Sequence, residues 1–427
     1  MKVGIYTLGC KVNTYESEYI INLLKNHNYE IVDFTDKADI YIINTCTVTN
    51  NSDAKSRKII RQARRNNKDA IVIALGCFVE ARKAHILDEM PEIDIAMGTK
   101  EKSKILDLIN EFRSNHNRIN NTGVEVDTKF DDMFIDEYNT RTRAFVKVQD
   151  GCENFCSYCI IPLVRGKCRS KDLDTCIKEI TTLVNNGFKE IVLTGIHTGN
   201  YGRDLGTNFA TLLREVLKID GLKRLRISSI EATELTPEVM ELIKDNDIIV
   251  NHFHVPVQSC SNKVLKLMNR KYTIEEFISI IEKLRSIKED VSITTDIITG
   301  HPGEDEDSFN ETIDNLEKIR FSKLHVFPYS MRDNTPSSKL PQVSDNVKKI
   351  HTNKLLELSN KYEKEYMNKF VGRVVEVLIE TSKDGYSYGH TTNYLHVRIN
   401  KELEHNTFVN VKITSIDYPY LNGEVEK

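Results

Sequence analysis

The chain has 427 residues, of which 40% are hydrophobic, and its formal net charge at pH 7 is −4. This length predicts two to four domains with packed cores, and no window is apolar enough to predict a membrane span. The charge neither favours nor excludes nucleic acid, so any RNA-binding face must be local.

The nine cysteines indicate the redox compartment. The chain starts directly with a strand-like segment, which leaves no room for a secretory signal. Clustered thiols without such a signal are typical of metal ligands in a reducing cytosol rather than of disulfides. We therefore expect a cytoplasmic protein without a membrane partner.

The first hundred residues alternate apolar runs with amphipathic ones. They predict strands at residues 3–8, 39–43 and 70–75, with helices at 16–25 and 52–67. This βαβ pattern favours a parallel sheet covered by helices. We predict an α/β domain at residues 1–114 that ends in a helix, followed by a linker at residues 115–140.

A cysteine comes directly after each of these three strands: Cys10, Cys46 and Cys77. Parallel strands end at the same edge of a sheet, which is where open α/β sheets bind ligands. The alternative is three cysteines that pack as small hydrophobic side chains. Packing cysteines belong within strands, however, so the repeated position after a strand predicts a three-cysteine cluster site.

The helix predicted at residues 52–67 begins beside Cys46 and carries a run of positive charge. Only Asp53 and Asp69 oppose its cations, which are Lys55, Arg57, Lys58, Arg61, Arg64, Arg65 and Lys68. Such a run can be an ordinary solvated face. Its single sign and its position favour contact with nucleic-acid phosphates.

Residues 151–159 place three thiols in one short loop, at Cys152, Cys156 and Cys159. A cubane iron–sulfur cluster normally takes four cysteines, so three would leave one iron open to a small molecule. Zinc with Cys168 as a fourth ligand and unliganded thiols are the alternatives. The spacing favours the open iron–sulfur site. The other cysteines, Cys168, Cys176 and Cys260, share no spacing with either triad and are expected to pack in cores.

Six strand-then-helix units make up the centre of the chain. Their strands are predicted at residues 143–148, 190–193, 224–229, 252–255, 292–298 and 323–327. Because closure needs eight units, they predict a partial (β/α)6 TIM-like barrel at residues 141–365. Such barrels carry their chemistry on the loops after the strands, which here contain Thr194, Gly195, Glu231 and Gln258. Ordinary turn chemistry is the alternative for any single one of these.

A polar helix at residues 346–369 leads to a terminal segment of different character. Strands predicted at residues 371–380, 394–399 and 408–415 alternate as in a small antiparallel β-barrel. We assign this barrel to residues 366–427. Its aromatic residues could stack on unpaired bases, although the segment is nearly charge-neutral; they are Tyr386, Tyr388, His390 and Tyr394.

Four motifs together resemble the methylthiotransferase family of radical S-adenosylmethionine (SAM) enzymes over essentially the whole chain. They are GCKVN at 9–13, NTCTVT at 44–49, Gly76-Cys77, and CSYCIIPLVRG at 156–166. The resemblance implies a three-cysteine N-terminal domain, a radical SAM partial barrel and a C-terminal TRAM domain. Lys11-Val12 is similar to the MtaB type, which acts on N(6)-L-threonylcarbamoyladenosine next to the tRNA anticodon. The isopentenyladenosine branch has glutamine-methionine there, and the ribosomal-protein branch has proline-lysine.

The resemblance implies a role for each candidate site residue. Cys152, Cys156 and Cys159 would hold the [4Fe-4S] cluster that binds SAM, and Cys10, Cys46 and Cys77 an auxiliary [4Fe-4S] cluster that carries the transferred sulfur. The SAM pocket would include Tyr158, Thr194, Gly195, Glu231 and Gln258. The chain departs from the family at Cys260, where glycine is usual, and at His301, where phenylalanine is usual.

The reaction that the resemblance implies is the transfer of a methylthio group to carbon 2 of the modified adenosine in tRNA. One SAM molecule would be the radical source and another the methyl donor, because a cofactor must supply the hard step at an unactivated C–H carbon. The partners would be tRNA and an electron donor such as a flavodoxin or ferredoxin; the sulfur source stays unknown. The alternatives are the other two branches and a non-catalytic RNA-binding metalloprotein, which would not need polar loops after the barrel strands.

Overall fold

The computed structural model describes residues 1–123, 129–138 and 142–426. Residues 124–128 and 139–140 of the predicted linker, and residue 141 at the predicted start of the barrel, lie outside the described residues. No helix in the described ranges combines the length and apolar character needed to cross a membrane.

The N-terminal domain is a parallel six-stranded sheet with the order β2-β1-β3-β4-β5-β6. Its strands are Lys2–Thr7 (β1), Glu30–Val32 (β2), Ile40–Thr45 (β3), Ile71–Gly76 (β4), Ile95–Met97 (β5) and Ile119–Asn121 (β6). Its helices are Lys11–Asn26 (α1), Asn50–Asn66 (α2), Cys77–Arg82 (α3), Ile86–Glu89 (α4) and Ile105–Asn115 (α5), with 3-10 turns at Lys83–His85 and Lys102–Lys104. Strands β3 and β4 are buried throughout, as continuous apolar strands of a covered parallel sheet are. The parallel domain predicted from the sequence is confirmed.

Three strands of this sheet were not predicted, and each has only three residues: β2, β5 and β6. Strand β6 pairs with β5 and lies within the segment expected to be a linker. Strands this short show no periodicity, so only the pairing in the folded sheet defines them.

The central domain contains the six predicted strand-then-helix units. Its strands are Arg143–Lys147 (β7), Gln149–Asp150 (β8), Arg169–Ser170 (β9), Glu190–Thr194 (β10), Arg224–Ile227 (β11), His252–His254 (β12), Ser292–Thr299 (β13) and Lys323–Pro328 (β14). Its helices are Ile161–Arg165 (α6), Leu173–Asn185 (α7), Phe209–Val216 (α8), Pro237–Asp245 (α9), Asn262–Leu267 (α10), Ile274–Ile287 (α11) and Glu306–Ile319 (α12). The 3-10 turns are Thr198–Asn200, Arg203–Leu205, Ala232–Glu234 and Pro336–Lys339.

These strands form an open parallel barrel. Strands β7, β10 and β11 make one parallel sheet and β12, β13 and β14 another. The amide of Leu225 donates to the carbonyl of Ile248 at 2.7 Å, which joins the two sheets into one six-stranded arc. The partial TIM-like barrel is therefore confirmed.

The long helix Asp345–Asn368 (α13) leads to a closed five-stranded barrel. Its strands are Val374–Lys383 (β15), Tyr386–Thr391 (β16), His396–Ile399 (β17), Phe408–Asp417 (β18) and Tyr420–Val425 (β19). The barrel is not wholly antiparallel, because β17 and β19 pair in parallel. Strand direction cannot alternate all the way round a closed ring with an odd number of strands, so one parallel pair is required.

The three parts of the chain pack against one another. Tyr15 of α1 is buried in the core of the central barrel, where its hydroxyl donates to Glu179 at 2.7 Å. The terminal barrel docks on the central one through Arg224, which donates to the carbonyl of His390 at 3.0 Å and to Glu376 at 2.8 Å. These contacts place the carboxyl edge of the N-terminal sheet, the central barrel and the terminal barrel around one cavity.

Candidate active site

The three N-terminal cysteines lie together at the carboxyl edge of the first sheet. Cys10 is the N-cap of α1, Cys46 follows β3, and Cys77 is the first residue of α3. Gly9 has φ +98°, and a Cβ added there would lie 3.1 Å from the Cys46 sulfur, so the close approach requires glycine. Burial raises the pKa of Cys77 to about 12; Arg165 opposes the shift, and the neighbouring thiols of Cys46 and Cys10 add to it.

Arg165, the last residue of α6, connects this triad to the loop of the second one. Its side chain is fully buried. Its Nε donates to the sulfur of Cys77 at 3.3 Å, and its Nη2 donates to Asn13 at 2.8 Å. Its Nη1 donates to Glu16 at 2.9 Å and to Asp150 at 3.1 Å. One guanidinium thus contacts a candidate cluster ligand in one domain and the strand before the CxxxCxxC loop in the other.

The charges around Arg165 form a buried network. Lys147 donates to Glu16 at 2.8 Å and lies 2.7 Å from Asp150, which also accepts from Arg169 at 2.9 Å. Burial by itself would raise the pKa of Glu16, but the charges of Arg165 and Lys147 hold this pKa at about 2. Both carboxylates are therefore ionised at neutral pH and hold the cations in place.

The second triad lies in the loop between β8 and α6. Burial, together with the nearby thiols of Cys156 and Cys152, raises the pKa of Cys159 to about 12. Two cationic or polar side chains face the other sulfurs: Nδ1 of His197 lies 3.7 Å from Cys152, and Nη1 of Arg270 donates to Cys156 at 3.6 Å. A donor on sulfur, such as Arg270 on Cys156, stabilises the thiolate form that binds metal.

The donor set of both triads fits an iron–sulfur cluster. All six cysteines are free thiols, and an N–H group faces a sulfur in each triad. In the described part of the chain, no three His, Cys, Asp or Glu side chains converge on the position of a single metal ion. A cubane cluster requires no such convergence, because each of its cysteines binds a different iron.

The five predicted SAM-pocket residues are not all brought to one place. Thr194 and Gly195 end β10 and line the large cavity, and the buried hydroxyl of Thr194 has no hydrogen-bond partner among the described residues. Glu231 instead lies in a small cleft beside Cys156, where it accepts a 3.0 Å hydrogen bond from Arg270. Tyr158 packs edge-on against His301, with ring centroids 6.2 Å apart.

Gln258 is held through its backbone. Its backbone N–H donates to the backbone carbonyl of Asp296 at 2.9 Å, and its carbonyl accepts from the backbone N–H of Ile298 at 2.8 Å, both on β13. Its φ of +73° is uncommon for a residue other than glycine. Strain of this kind is found where the surrounding structure over-determines the backbone, often at ligand sites.

The large cavity has a volume of about 770 Å³ and lies where the three parts of the chain meet. Cys10 and Lys11 line it from the N-terminal domain, and Thr194 and Gly195 from the central barrel. The terminal barrel contributes His390, Tyr394 and His396. Cys10 is thus the member of the first triad that opens on this cavity.

A column of aromatic rings crosses from the central to the terminal barrel beside the cavity. Tyr394 stacks between His252, at 4.9 Å, and His390, at 4.6 Å between centroids. His396 stacks in turn on His390 at 4.6 Å and meets Tyr420 at 4.6 Å. The sequence pointed to His390 and Tyr394 but not to His252, His396 or Tyr420, which only the docking of the terminal barrel brings into line.

Only some of the cations of the basic helix α2 (Asn50–Asn66) are available to bind an anion. Arg64 is committed to its own domain, with Nη1 donating to the carbonyl of Ala70 at 2.7 Å and Nη2 to Asp94 at 2.7 Å. Arg61 pairs with Glu92 at 3.3 Å. The interpretation of Arg64 as a phosphate contact is therefore wrong, whereas Lys55, Lys58 and Arg65 are exposed.

The three remaining cysteines divide into two kinds. Cys176 and Cys260 are fully buried in the core of the central barrel, as expected. Cys168 is half-buried beside the CxxxCxxC loop, where its sulfur faces the carbonyl of Gly151 at 3.7 Å and accepts from Asn200 at 3.6 Å. Its interpretation as a core residue is wrong. His301 is buried too, with Nε2 2.8 Å from the hydroxyl of Ser337.

Sequence reasoning missed Arg165, His197 and Arg270 as members of the site. Arg165 lies within the CSYCIIPLVRG motif, and His197 lies two residues after Gly195. A single polar residue inside or beside a motif does not by itself indicate a role in the site. Their partners are far away in sequence: Glu16 is 149 residues from Arg165, and Cys156 is 114 residues from Arg270.

Comparisons with known proteins agree with this arrangement. Residues 2–98 match the Uncharacterized protein family UPF0004, and residues 146–316 match the Radical SAM superfamily. The fold is similar to the radical S-adenosylmethionine methyltransferase TsrM from Kitasatospora setae, with a TM-score of 0.61 at 13% identity, over 79% of this chain and 77% of that one.

Two curated relatives cover nearly the whole chain. A tRNA-2-methylthio-N(6)-dimethylallyladenosine synthase of Clostridium novyi (strain NT) is 36% identical over 99% of this chain and 96% of its own. The threonylcarbamoyladenosine tRNA methylthiotransferase MtaB of Bacillus subtilis (strain 168) is 44% identical, again over 99% of this chain and 96% of its own. The chain therefore belongs to the methylthiotransferase family of radical SAM enzymes, and within it to the MtaB type.

Proposed function

We propose that this protein transfers a methylthio group to carbon 2 of N(6)-L-threonylcarbamoyladenosine next to the anticodon of tRNA. The observation that carries this proposal is the cavity in which Cys10 meets the barrel loop of Thr194 and Gly195 and the aromatic residues of the terminal barrel. It brings a candidate sulfur-carrying site, a candidate SAM loop and a stacking surface for bases to one place. The 44% identity to an MtaB over 99% of the chain supports the same reaction.

Two [4Fe-4S] clusters are part of the proposal, one on Cys152, Cys156 and Cys159 and an auxiliary one on Cys10, Cys46 and Cys77. When bound, the first would supply the electron for SAM cleavage and the second the sulfur that is transferred. The chain's own part is to keep the thiols ready to bind metal. Arg165 and Arg270 each donate to one sulfur, and such donors favour the thiolate over the thiol. His197 lies beside a third sulfur, that of Cys152.

For SAM itself, we propose a site along the barrel loops next to the second triad. Glu231 and Arg270 form an ion pair beside Cys156, and their opposite charges suit the ammonium and carboxylate groups of an amino acid. The unpartnered hydroxyl of Thr194 and the backbone of Gly195, which lines the cavity, supply further polar contacts. Tyr158 and Gln258 would support this site through the shape of their loops rather than by direct hydrogen bonds.

For tRNA, we propose that the target base enters the cavity and lies against the edge of the aromatic column around Tyr394, whose ring stacks between His252 and His390. The exposed cations of α2, which begins just after Cys46, would contact the phosphates. We assign these roles to three units at residues 1–114, 141–365 and 366–427, joined by the segment 115–140.

The reductant would be a small electron carrier such as a flavodoxin or ferredoxin, and the reaction would take place in the cytoplasm. Both follow from the chemistry of low-potential clusters, which requires a reducing compartment.

The test is mass spectrometry of tRNA nucleosides from cells that lack the gene. We expect the methylthio derivative of threonylcarbamoyladenosine to disappear and the methylthio derivative of isopentenyladenosine to persist. The intact gene should restore the lost nucleoside, as should a Cys176→Ala control, whose thiol lies in the barrel core. Cys10→Ala and Cys152→Ala should not. If the isopentenyl derivative disappears instead, the chain belongs to the isopentenyladenosine branch.

A further inference from the structure

Lys11 has an unusual position in the large cavity. It follows Cys10 directly and lines the cavity on the side of the N-terminal domain. The other charged side chains of the lining have partners: Lys323 donates to Glu363 at 2.8 Å, and Asp296 lies 3.4 Å from His254. Lys11 makes no hydrogen bond or ion pair with any residue in the ranges 1–123, 129–138 and 142–426.

Arg226 is a second cation near the cavity, and two of its hydrogen-bond donors are unused. It lies 4.5 Å from the ring centroid of Tyr394, which lines the cavity. Its Nε donates to Glu190 at 2.8 Å. Its Nη1 and Nη2 atoms are buried and have no hydrogen-bond partner among the described residues. A buried guanidinium with two free donors is costly unless an acceptor reaches it.

Cations outnumber carboxylates in the group of side chains packed behind Lys11 and Tyr394. The cations are Lys11, Arg143, Arg224 and Arg226, and the carboxylates are Glu190, Glu376 and Glu380. The two carboxylates that line the cavity itself, Asp296 and Glu363, lie beside His254 and Lys323. An anionic group of the ligand would complete the set.

We propose that Lys11 determines substrate specificity by binding the carboxylate of the threonylcarbamoyl group. This inference rests on the proposed function, because it takes the modified base from it. The N6 substituent leaves the adenine ring at carbon 6, which only N1 separates from carbon 2. A side chain next to Cys10, a ligand of the proposed cluster that would supply the sulfur to carbon 2, is therefore well placed for the N6 substituent. An aliphatic substituent such as dimethylallyl has no charge to offer Lys11 and would leave it desolvated and unpaired.

The proposal predicts discrimination between two ligands that differ by one carboxylate charge and one methyl group. The probes are an anticodon stem-loop RNA with threonylcarbamoyladenosine and the same RNA with that carboxylate as its methyl ester. We expect the intact protein, with its clusters, to bind the free acid about 10- to 100-fold more tightly than the ester, as is typical of a hydrogen bond to a charged group. Equilibrium binding without SAM measures this ratio independently of turnover.

Three variants assign the ratio to Lys11. In Lys11→Gln, the preference in affinity for the acid over the ester should fall to about threefold or less. Lys11→Arg should keep most of this preference because the charge remains. Lys323→Gln, which removes a lysine of the same cavity that is already paired with Glu363, should leave the ratio unchanged. Each ratio compares two ligands on one protein, so a fall in the folded fraction cancels.

The outcomes separate this inference from the proposed function. If the intact protein modifies the threonylcarbamoyl RNA but Lys11→Gln retains the full acid-to-ester ratio, the role of Lys11 is refuted and the reaction stands. An intact protein that does not distinguish acid from ester refutes it equally. If the intact protein modifies only isopentenyladenosine RNA, the proposed function itself fails.

Discussion

Replacement of Arg165 by methionine tests whether the buried network joins the first two domains. Arg165 is fully buried and makes hydrogen bonds to Cys77, Asn13, Glu16 and Asp150. Breaking a buried ion pair by removing one partner costs about 3–5 kcal/mol. Lys147 and Arg169 still neutralise the two carboxylates after the change, so we expect the lower end, about 3 kcal/mol. At about 2–4 °C per kcal/mol, the Tm should fall by about 6–12 °C.

The measurement is thermal unfolding of the metal-free full-length chain, followed by far-UV circular dichroism because the sequence contains no tryptophan. The matched control is Arg214→Met, which removes an arginine from the exposed pair with Glu238. An exposed pair contributes about 0–1 kcal/mol, so this Tm should change little. If Arg165→Met and Arg214→Met melt at the same temperature, the network does not stabilise the fold and the reasoning is wrong.

Three further predictions concern the clusters, the network and the basic helix. Replacing Cys152, Cys156 and Cys159 together by Ala should lower bound iron and sulfide by about half, and loss of all iron would show that the two sites are not independent. Because the pKa of Glu16 is held near 2, below its ordinary 4.5, its contribution to stability is present above pH 4.5 and is lost as the pH falls toward 2. Between pH 4.5 and pH 2 the Tm of Glu16→Gln should therefore fall by less than the Tm of the intact protein. Equal decreases in Tm would contradict the assigned pKa. Replacing Lys55, Lys58 and Arg65 by Gln should reduce the log–log salt slope of tRNA binding by about 0.7–0.9 per lost contact, whereas an unchanged slope would mean that α2 is an ordinary solvated face.

Local sequence patterns were sufficient for much of the architecture. The six strands of the central barrel were predicted within two residues of their ends, because each is a short strand-like run between helical segments, even where arginine or histidine interrupts the apolar pattern as in β11 and β12. The placement of Cys10, Cys46 and Cys77 at one sheet edge followed from strand order alone, since parallel strands end on the same side. The spacing of Cys152, Cys156 and Cys159 was sufficient to predict that one short loop carries all three thiols.

Pairings between distant segments were beyond local patterns. Strand β16 contains glycine and histidine in place of a clear apolar alternation, so it is defined only by its hydrogen bonds to β15 and β17. The parallel pair β17–β19 follows from closure of a five-stranded ring, which no single strand reveals. The sequence of α2 shows that Arg64 is a cation, but it does not show that Arg64 already donates hydrogen bonds to Asp94 and to the carbonyl of Ala70.

The sequence by itself was sufficient to predict which residues would carry the chemistry, because cysteine spacing and strand ends are local properties of the chain. Only the tertiary structure decided what surrounds them. Arg165 became a link between the triads, and Lys11 a free cation in a shared cavity, when the three parts of the chain packed together. The physical reason is that charge and hydrogen-bond commitments depend on distance in space, and here they join residues that are more than a hundred positions apart in the chain.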